Sequence, residues 1–318
     1  MSEKGDRLAK NINELTVLGD YAWDVLIRTN RKLLQGGDTF GEVKLAPGGS
    51  AANVAVWASR CGMKTHFIGK IGEDRFGELA IDDLMNEKVD YDPIRTNEHR
   101  TANVAVWIDH MGERSMVSGQ GADFYLLSSE LPIGILQNTP HLHLTAWSFF
   151  KDPPRSAARK AAKIVKKYDA TISLDPGSFQ MIEEMGVDNF LKYTSDLKID
   201  IFFPNLEEGE TITGKSNPDD ICHSLKDLYP KAIIALKLDK EGAMVFNSGK
   251  INHIPAATNT IIDATGAGDS FSGAYLSHYL QFGDEVKAAV YAVKISSWVV
   301  NRVGARPPID KQLDVMIK

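Results

Sequence analysis

Hydrophobic and polar positions along the chain fall into two kinds of run. Leu15-Thr16-Val17-Leu18 is a short apolar run closed by Gly19-Asp20, the pattern of a buried strand. Similar runs predict strands over 65–68, 171–174, 199–203 and 232–236. Apolar residues at helical spacing predict helices over 51–60, 76–87, 154–168, 218–228, 267–282 and 285–300. Pro154 suits a first helical position, and Cys61-Gly62 is a natural stop for the helix before it. Strands alternate with helices over most of the chain, which predicts an α/β fold with a parallel sheet covered by helices on both faces.

Two stretches break the alternation. Residues 38–46 and 101–118 read as strands with no helix between them. Residues 102–108, a Gly112-Glu113 turn and residues 114–118 form a β-hairpin pattern. Such pieces suit a small antiparallel sheet attached to the main layer as a lid. It would be assembled from insertions at about 20–28, 38–47 and 100–119, so 1–318 reads as one domain. There is no internal repeat and no low-complexity linker.

Composition narrows the class. The 318 residues are 43% hydrophobic and 25% charged, ordinary for a globular protein. With Lys plus Arg at 36 and Asp plus Glu at 42, the formal net charge is −6, which argues against a nucleic-acid partner. No apolar run approaches the ~20 residues that cross a bilayer, so no membrane association is expected. The polar stretch 1–14 lacks the apolar core of a signal peptide and reads as a partly disordered lead-in. Two cysteines, Cys61 and Cys222, make no disulfide framework and fit a reducing cytoplasm.

Three motifs carry candidate chemistry. Asp263-Ala264-Thr265-Gly266-Ala267-Gly268-Asp269 follows a strand-like 260–262 and opens an amphipathic helix. Its glycines allow a tight turn whose N–H groups converge, and the helix N-terminus adds positive potential, so the turn is a candidate anion hole. A carboxylate at Asp269 would repel phosphate there unless it serves as a base for an attacking hydroxyl. The plainer alternative is a common glycine-rich turn with an acidic cap. Pro47-Gly48-Gly49-Ser50-Ala51-Ala52-Asn53 permits close backbone approach to a ligand, with Asn53 one turn in to recognise a polyol. It equally describes a turn and a buried helix. Asn205-Leu206-Glu207-Glu208 follows a strand, where ligands of open α/β sheets gather. Glu208 there suits a hydrated Mg²⁺ carried by phosphates; a capping box between Asn205 and Glu208 is the rival. His141 and His143 alternate in a strand and read as a partly buried strand end rather than a metal site. There is no P-loop, and Gly69-Lys70-Ile71-Gly72 does not fit a dinucleotide-binding turn.

In order and separation, the three motifs together resemble the ribokinase-like, or PfkB-type, carbohydrate kinases, over almost the whole chain from Val17 to Arg306. Ala264 stands where that family usually has Thr. The resemblance implies a three-layer α/β/α Rossmann-like domain with a β-sheet lid, and ATP-dependent phosphorylation of a sugar hydroxyl. It implies Asp269 as catalytic base, with Gly266, Ala267 and Gly268 as the anion hole for the γ-phosphoryl. It implies Asp24, Gly48, Gly49 and Asn53 as sugar ligands, and Asn205, Lys237, Asp239 and Gly242 as ATP contacts. Asp239 replaces a glycine frequent in the family. Glu208 would act on Mg²⁺ through water, and backbone carbonyls of Asp263 and Gly304 would hold K⁺, unless Gly304 simply ends its helix. A homodimer through the lid is left open. Gly112-Glu113-Arg114 and Gly121-Ala122-Asp123 are similar to fructokinases, so fructose or a related sugar is favoured. Ala22, Ala146-Trp147-Ser148 and Asp175-Pro176-Gly177-Ser178 depart from the ribokinase or fructokinase patterns. The alternatives are a ribokinase, a nucleoside kinase using Trp107 and Phe124 for stacking, or a non-catalytic sugar- or nucleotide-binding regulator.

Overall fold

The computed structural model describes residues 12–32, 34–108, 114–257 and 261–317. The first third runs β1 (Glu14–Leu18), β2 (Ala22–Thr29), β3 (Gly41–Gly48), α1 (Ser50–Arg60), β4 (Lys64–Ile68), β5 (Lys70–Gly72), α2 (Arg75–Asn86), β6 (Val89–Tyr91) and β7 (Ile94–Thr96). The middle runs β8 (Ala102–Ile108), β9 (Arg114–Ser118), α3 (Ile133–Asn138), β10 (His141–Thr145), α4 (Pro154–Lys167), β11 (Thr171–Asp175), α5 (Phe179–Met185), α6 (Val187–Thr194) and β12 (Ile201–Phe202). The last third runs α7 (Leu206–Thr213), α8 (Pro218–Leu228), β13 (Ile233–Lys237), β14 (Ala243–Asn247), β15 (Lys250–Ile254), α9 (Ala267–Phe282), α10 (Glu285–Val300) and α11 (Lys311–Ile317).

The large sheet has the order β15-β14-β13-β12-β11-β10-β1-β4-β6. From β6 to β13 every pairing is parallel, and β14 and β15 close one edge antiparallel. The chain fills the sheet from β1 outward to β6, then restarts at β10 on the other side of β1. The strand order thus reverses between β1 and β10, which opens a crevice at their carboxyl ends, the place where ligands bind in open α/β sheets. Alternation along the strands sends side chains into two cores: Leu15 and Val17 pack with α1, α9 and α10, while Leu18, Leu142 and Leu144 pack with α4 and α8. This is the three-layer α/β/α architecture expected from the motif pattern.

The lid is a four-stranded sheet, β3-β2-β8-β9. It is mixed rather than antiparallel, because β2 and β8 run parallel. They are separated by α1 and α2, a crossover long enough for parallel pairing. Leu26, Val106 and Ile108 form a small core on one side of it.

Several expectations need correction. Residues 261–262 are not a strand: both isoleucines are exposed, and the N–H groups of Ile262 and Asp263 donate to the Val300 carbonyl at the end of α10. His141 and His143 are not at a partly buried end but fully buried, with ring nitrogens bonded to Thr171 and Ser173 hydroxyls. The strand expected over 199–203 is only the two residues of β12. The 1–11 lead-in, the Gly112-Glu113 turn and Thr260 lie outside the described residues.

Helix α9 packs on α1 at Gly273. A methyl group there would lie 2.7 Å from the Val54 carbonyl oxygen and 2.8 Å from Trp57 Cβ, so the two helices meet almost backbone to backbone. Ser277 Oγ donates to the Cys61 carbonyl at the far end of the same contact, at 2.7 Å. Gly273→Val is therefore expected to destabilise the fold by about 1–3 kcal/mol through overpacking. Urea denaturation measures this, and a midpoint equal to that of the wild type would mean the contact can relax freely.

Candidate active site

The N-terminus of α9 faces the crevice. Gly266 precedes it in the left-handed region at φ 73°, and a Cβ there would lie 2.6 Å from Ala305, so the turn requires glycine. No side chain caps the helix, and its first N–H, of Ala267, turns back to the Ala264 carbonyl at 3.2 Å. Asp269 sits in the first turn. Its Oδ1 accepts from Ser50 Oγ at 2.8 Å and its Oδ2 from Asn53 Nδ2 at 2.7 Å, both donors coming from the first turn of α1. Burial pushes the Asp269 carboxyl up to about 7; the Asn53 and Ser50 hydrogen bonds work against this, and the carboxylates of Asp175 and Asp20 add to it.

The opening of α1 is shaped by glycines and an outside cap. Gly49 has φ 87°, and a Cβ on it would strike the Asp20 carbonyl and Ala22 nitrogen below 3 Å. Gly48 leaves room for Asp24, whose Oδ2 would be 2.6 Å from an added Cβ. Gly49 offers no side-chain cap, so Asp20 supplies it from the end of β1: the N–H groups of Ser50 and Ala51 donate to its carboxylate at 2.7 and 3.2 Å. Asp24 stands near the start of β2, on the lid sheet itself, and lines the cavity beneath it.

Two cavities meet at the α9 turn. One of about 280 Å³ lies under the lid, lined by Asp20, Asp24, Gly49, Asn53, Asp123, Phe124, Trp147, Gly266 and Asp269. The other, about 320 Å³, is lined by Asn205, Lys237, Asp239, Gly242, Ala267 and Gly268. Ala264 borders both. A larger cavity, about 810 Å³, lies at the opposite end of the strands beside Glu14 and Lys64 and is lined by none of these groups.

Lys237 ends β13 beneath the turn, its Nζ 3.2 Å from where a Gly268 side chain would begin. It donates to Asp175 Oδ2 at 2.7 Å, and Ser272 Oγ donates to the same oxygen at 3.0 Å. Burial opposes the charge on Lys237, yet Asp175 and Glu208 outweigh burial and raise its pKa. Asn205 and Glu208 form the capping box of α7: the Glu208 N–H donates to Asn205 Oδ1 and the Asn205 N–H to Glu208 Oε2, each at 2.8 Å. Burial raises the Glu208 pKa, and Lys237 opposes that. Asp239 adopts φ 49°, a left-handed conformation that glycine reaches more readily than other residues. Asp263 accepts from the Thr265 N–H at 2.9 Å and, through its other oxygen, from the Gly304 N–H at 2.9 Å, tying the turn before α9 to the loop after α10.

The motif residues thus converge, but so do groups not assigned from sequence. Asp20 and Asp175 each end a strand at the crevice, a position that marks them. Ser50 was read only as part of a glycine-rich turn. Arg306, deep in the site, belongs to no motif; its Nε donates to Asn53 Oδ1 at 2.6 Å. Trp147 takes the aromatic place expected of Trp107, because Ala102 and Val104 face the cavity and Trp107 falls on the other face of β8.

Comparison with known proteins bears on the family and the fold. The family described as pfkB family carbohydrate kinase matches residues 13–312. The chain is 32% identical over 269 residues to a fructokinase of Escherichia coli, covering 82% of each. It is 27% identical over 303 residues to an ATP-dependent 6-phosphofructokinase of Thermoanaerobacterium thermosaccharolyticum, covering 93% of each. An Escherichia coli structure described as a ribokinase II in complex with ATP and Mg²⁺ superposes with a TM-score of 0.83 at 23% identity, covering 96% of this chain and 98% of that one. The fold is ribokinase-like.

The buried carboxylate has a measurable cost. With the Asp269 pKa raised from 3.8 to about 7, the folded protein holds a proton that the unfolded chain has lost, so between these values stability falls as pH rises. Asn carries no charge at any pH. The stability of Asp269→Asn relative to wild type is expected to increase by about 2–3 kcal/mol between about pH 5 and pH 8. Denaturant titrations at both pH values measure it; a difference that stays constant would show that the carboxylate is solvated.

Proposed function

The chain belongs to the pfkB family of carbohydrate kinases, ATP-dependent phosphotransferases that act on sugar hydroxyls, and we propose that its acceptor is an uncharged monosaccharide, fructose or a close relative, with Asp269 as the general base. The observation that carries this reading is the position of Asp269: it lines one cavity, and its neighbour in sequence, Gly268, lines the second. Sugar in the lidded cavity and ATP in the other would meet at the Gly266–Gly268 turn.

In this reading Asp24 and Asn53 orient the sugar hydroxyls, while Gly48 and Gly49 shape the approach. Asp269 takes the proton of the attacking hydroxyl as its oxygen bonds to the γ-phosphorus and the bond to ADP breaks. The Gly266–Gly268 turn faces the negative charge that grows on the phosphoryl oxygens, the Ala267 N–H being bonded to the Ala264 carbonyl, and Lys237 supports it. Asn205, Asp239 and Gly242 line the nucleotide side. Among the described residues no cluster of acidic, His or Cys side chains is arranged to hold a metal alone. Mg²⁺ would arrive on the phosphates and keep most of its waters, with Glu208 acting through one of them. When bound, Mg²⁺ would neutralise phosphate charge. Carbonyls of Asp263 and Gly304 are hard oxygen donors on two stretches joined by the Asp263 side chain, and suit K⁺.

Charge selects the acceptor. Asp20, Asp24, Asp123 and Asp269 line the lidded cavity, and none of its described lining residues is Lys or Arg. A phosphate or carboxylate on the sugar would be desolvated against these carboxylates. This supports an uncharged acceptor over a phosphorylated one such as fructose 6-phosphate. Phe124 and Trp147 favour one second reading, a nucleoside acceptor, since an aromatic pair stacks on a base as readily as on a sugar face.

ADP release with fructose, ribose, ketodeoxygluconate, adenosine and fructose 6-phosphate tests the assignment. Fructose is expected to turn over best and the two anionic sugars least, with Asp269→Asn lowering kcat by about 10²–10⁴-fold at little change in ATP affinity. Faster turnover of fructose 6-phosphate, or an active Asp269→Asn, would refute it. For the sugar side, Asp24→Ala is expected to raise the sugar KM more than about tenfold through loss of charge-assisted hydrogen bonds. An unchanged KM in initial-rate kinetics would put the sugar elsewhere.

A further inference from the structure

Arg306 lies in the loop after α10, with a side chain only 1% exposed. Its Nε donates to Asn53 Oδ1 at 2.6 Å, one terminal nitrogen to Asp83 Oδ2 at 2.6 Å, and the other to the Gly48 carbonyl at 3.0 Å. Asp83, on α2, also accepts from the Tyr21 hydroxyl at 2.9 Å, and the guanidinium carbon lies 5.6 Å from the centre of the Tyr21 ring. The guanidinium is therefore held on three sides.

We infer that Arg306 is a positioning residue for phosphoryl transfer, which fixes the orientation of the Asn53 amide and so keeps a donor, never an acceptor, against the Asp269 carboxylate. The inference rests on the reading of Asp269 as the base. A carboxamide turned through 180° exchanges its oxygen and its NH₂ in nearly the same volume. Its neighbours decide which end faces which way. A guanidinium has five donors and no acceptor, so the Asn53 end that meets Arg306 must be Oδ1. The NH₂ is then committed to Asp269 Oδ2, where it sits at 2.7 Å. Reversed, the amide would present a lone pair to the carboxylate and favour its protonated form, which cannot accept a proton from the sugar.

Other groups facing Asp269 do not set this choice. Ser50, on α1 with Asn53, bonds the other carboxylate oxygen. Asp20 behind β1 and Asp175 at the end of β11 disfavour its charge, and Lys237 at the end of β13 favours it; none of the three touches the amide in the bonds that hold Asn53. The charge of Arg306 is itself matched by Asp83. A lysine would keep that ion pair but is a point charge on a flexible stem and cannot serve three acceptors in a fixed fork.

The test is Arg306→Lys. At neutral pH kcat is expected to fall about ten- to hundredfold, the worth of a charge-assisted hydrogen bond, with the KM for ATP unchanged. The acid limb of the kcat–pH profile is expected to move about one unit higher, with activity recovering in alkaline solution. A loss of structure alone would lower kcat at every pH. Added to Asn53→Ala, Arg306→Lys is expected to cost nothing further, because both act through the same amide. Should Arg306→Lys fail to fold, Asn53→Asp asks the same question with Arg306 intact: two acceptors then face Asp269, and its acid limb must rise. A wild-type limb in either variant, or additive losses in the double variant, would overturn the inference. The same rise is legible without turnover, from the pH at which the stability gain of Asp269→Asn develops in each background. Absence of sugar phosphorylation by the wild type would therefore sink the kinase reading and leave this inference to be decided by the stability measurement.

Discussion

The site depends on how closely two helices approach each other. Gly273 lets α9 lie against the backbone of α1, at a distance no side chain would permit. One turn before that contact α9 carries Asp269; one turn before Val54 and Trp57, α1 carries Ser50 and Asn53. The two hydrogen bonds on the Asp269 carboxylate are thus set by a close packing of glycine against backbone. Trp57 extends the same constraint, since its Nε1 donates to the Ala305 carbonyl at 3.0 Å and so holds the loop that bears Arg306. Apolar packing is stiff, and stiffness is what a preorganised polar site requires.

The electrostatics are expensive by construction. Asp20, Asp123 and Asp269 all titrate above the ordinary carboxylate range, chiefly because they are buried. Each has a different use for the strain. Asp20 offsets it with backbone N–H groups at the start of α1, which makes it an anchor. Asp269 offsets it only in part, which brings its pKa near neutrality, where a base is effective. Asp123 has Oδ1 buried without a hydrogen-bond partner in the lidded cavity, and its carboxyl is pushed up to about 8 by burial first and by Asp20 second. On the opposite side of the turn, Lys237 is kept charged by Asp175, so the cavity that would take phosphates is lined by a buried positive charge.

Chain connectivity explains why these groups meet at all. The reversal of strand order between β1 and β10 leaves Asp20, Thr145 and Trp147 around one crevice, and β11 and β13 bring Asp175 and Lys237 to its side. The lid covers that crevice because β2 and β3 depart from the end of β1 and return directly into α1. The glycines at 48 and 49 are the hinge of that return: one clears Asp24, the other takes a backbone angle that other residues avoid.

What the sequence by itself determined was local. Period and punctuation placed α8, α9 and α10 at their observed ends, Pro218–Leu228, Ala267–Phe282 and Glu285–Val300, because long helical runs with proline or glycine boundaries carry their own signal, although α9 is buried on nearly every side rather than amphipathic as expected. The ordered motifs were enough to resemble one kinase family and to single out Asp269, Asn53 and Lys237. Short elements escaped: β14, β15, α3 and α5 were not predicted, since a few apolar residues do not distinguish strand from helix. The exposed Ile261-Ile262 pair looked like a strand for the same reason. Only the tertiary structure decided the contacts between distant residues. Arg306 lies 253 positions from Asn53 and Ser50 lies 219 from Asp269; no pattern within a window of sequence relates such pairs. Their meeting is fixed by the packing of α9 on α1 and by the strand order of the sheet, which depend on the whole folded core at once.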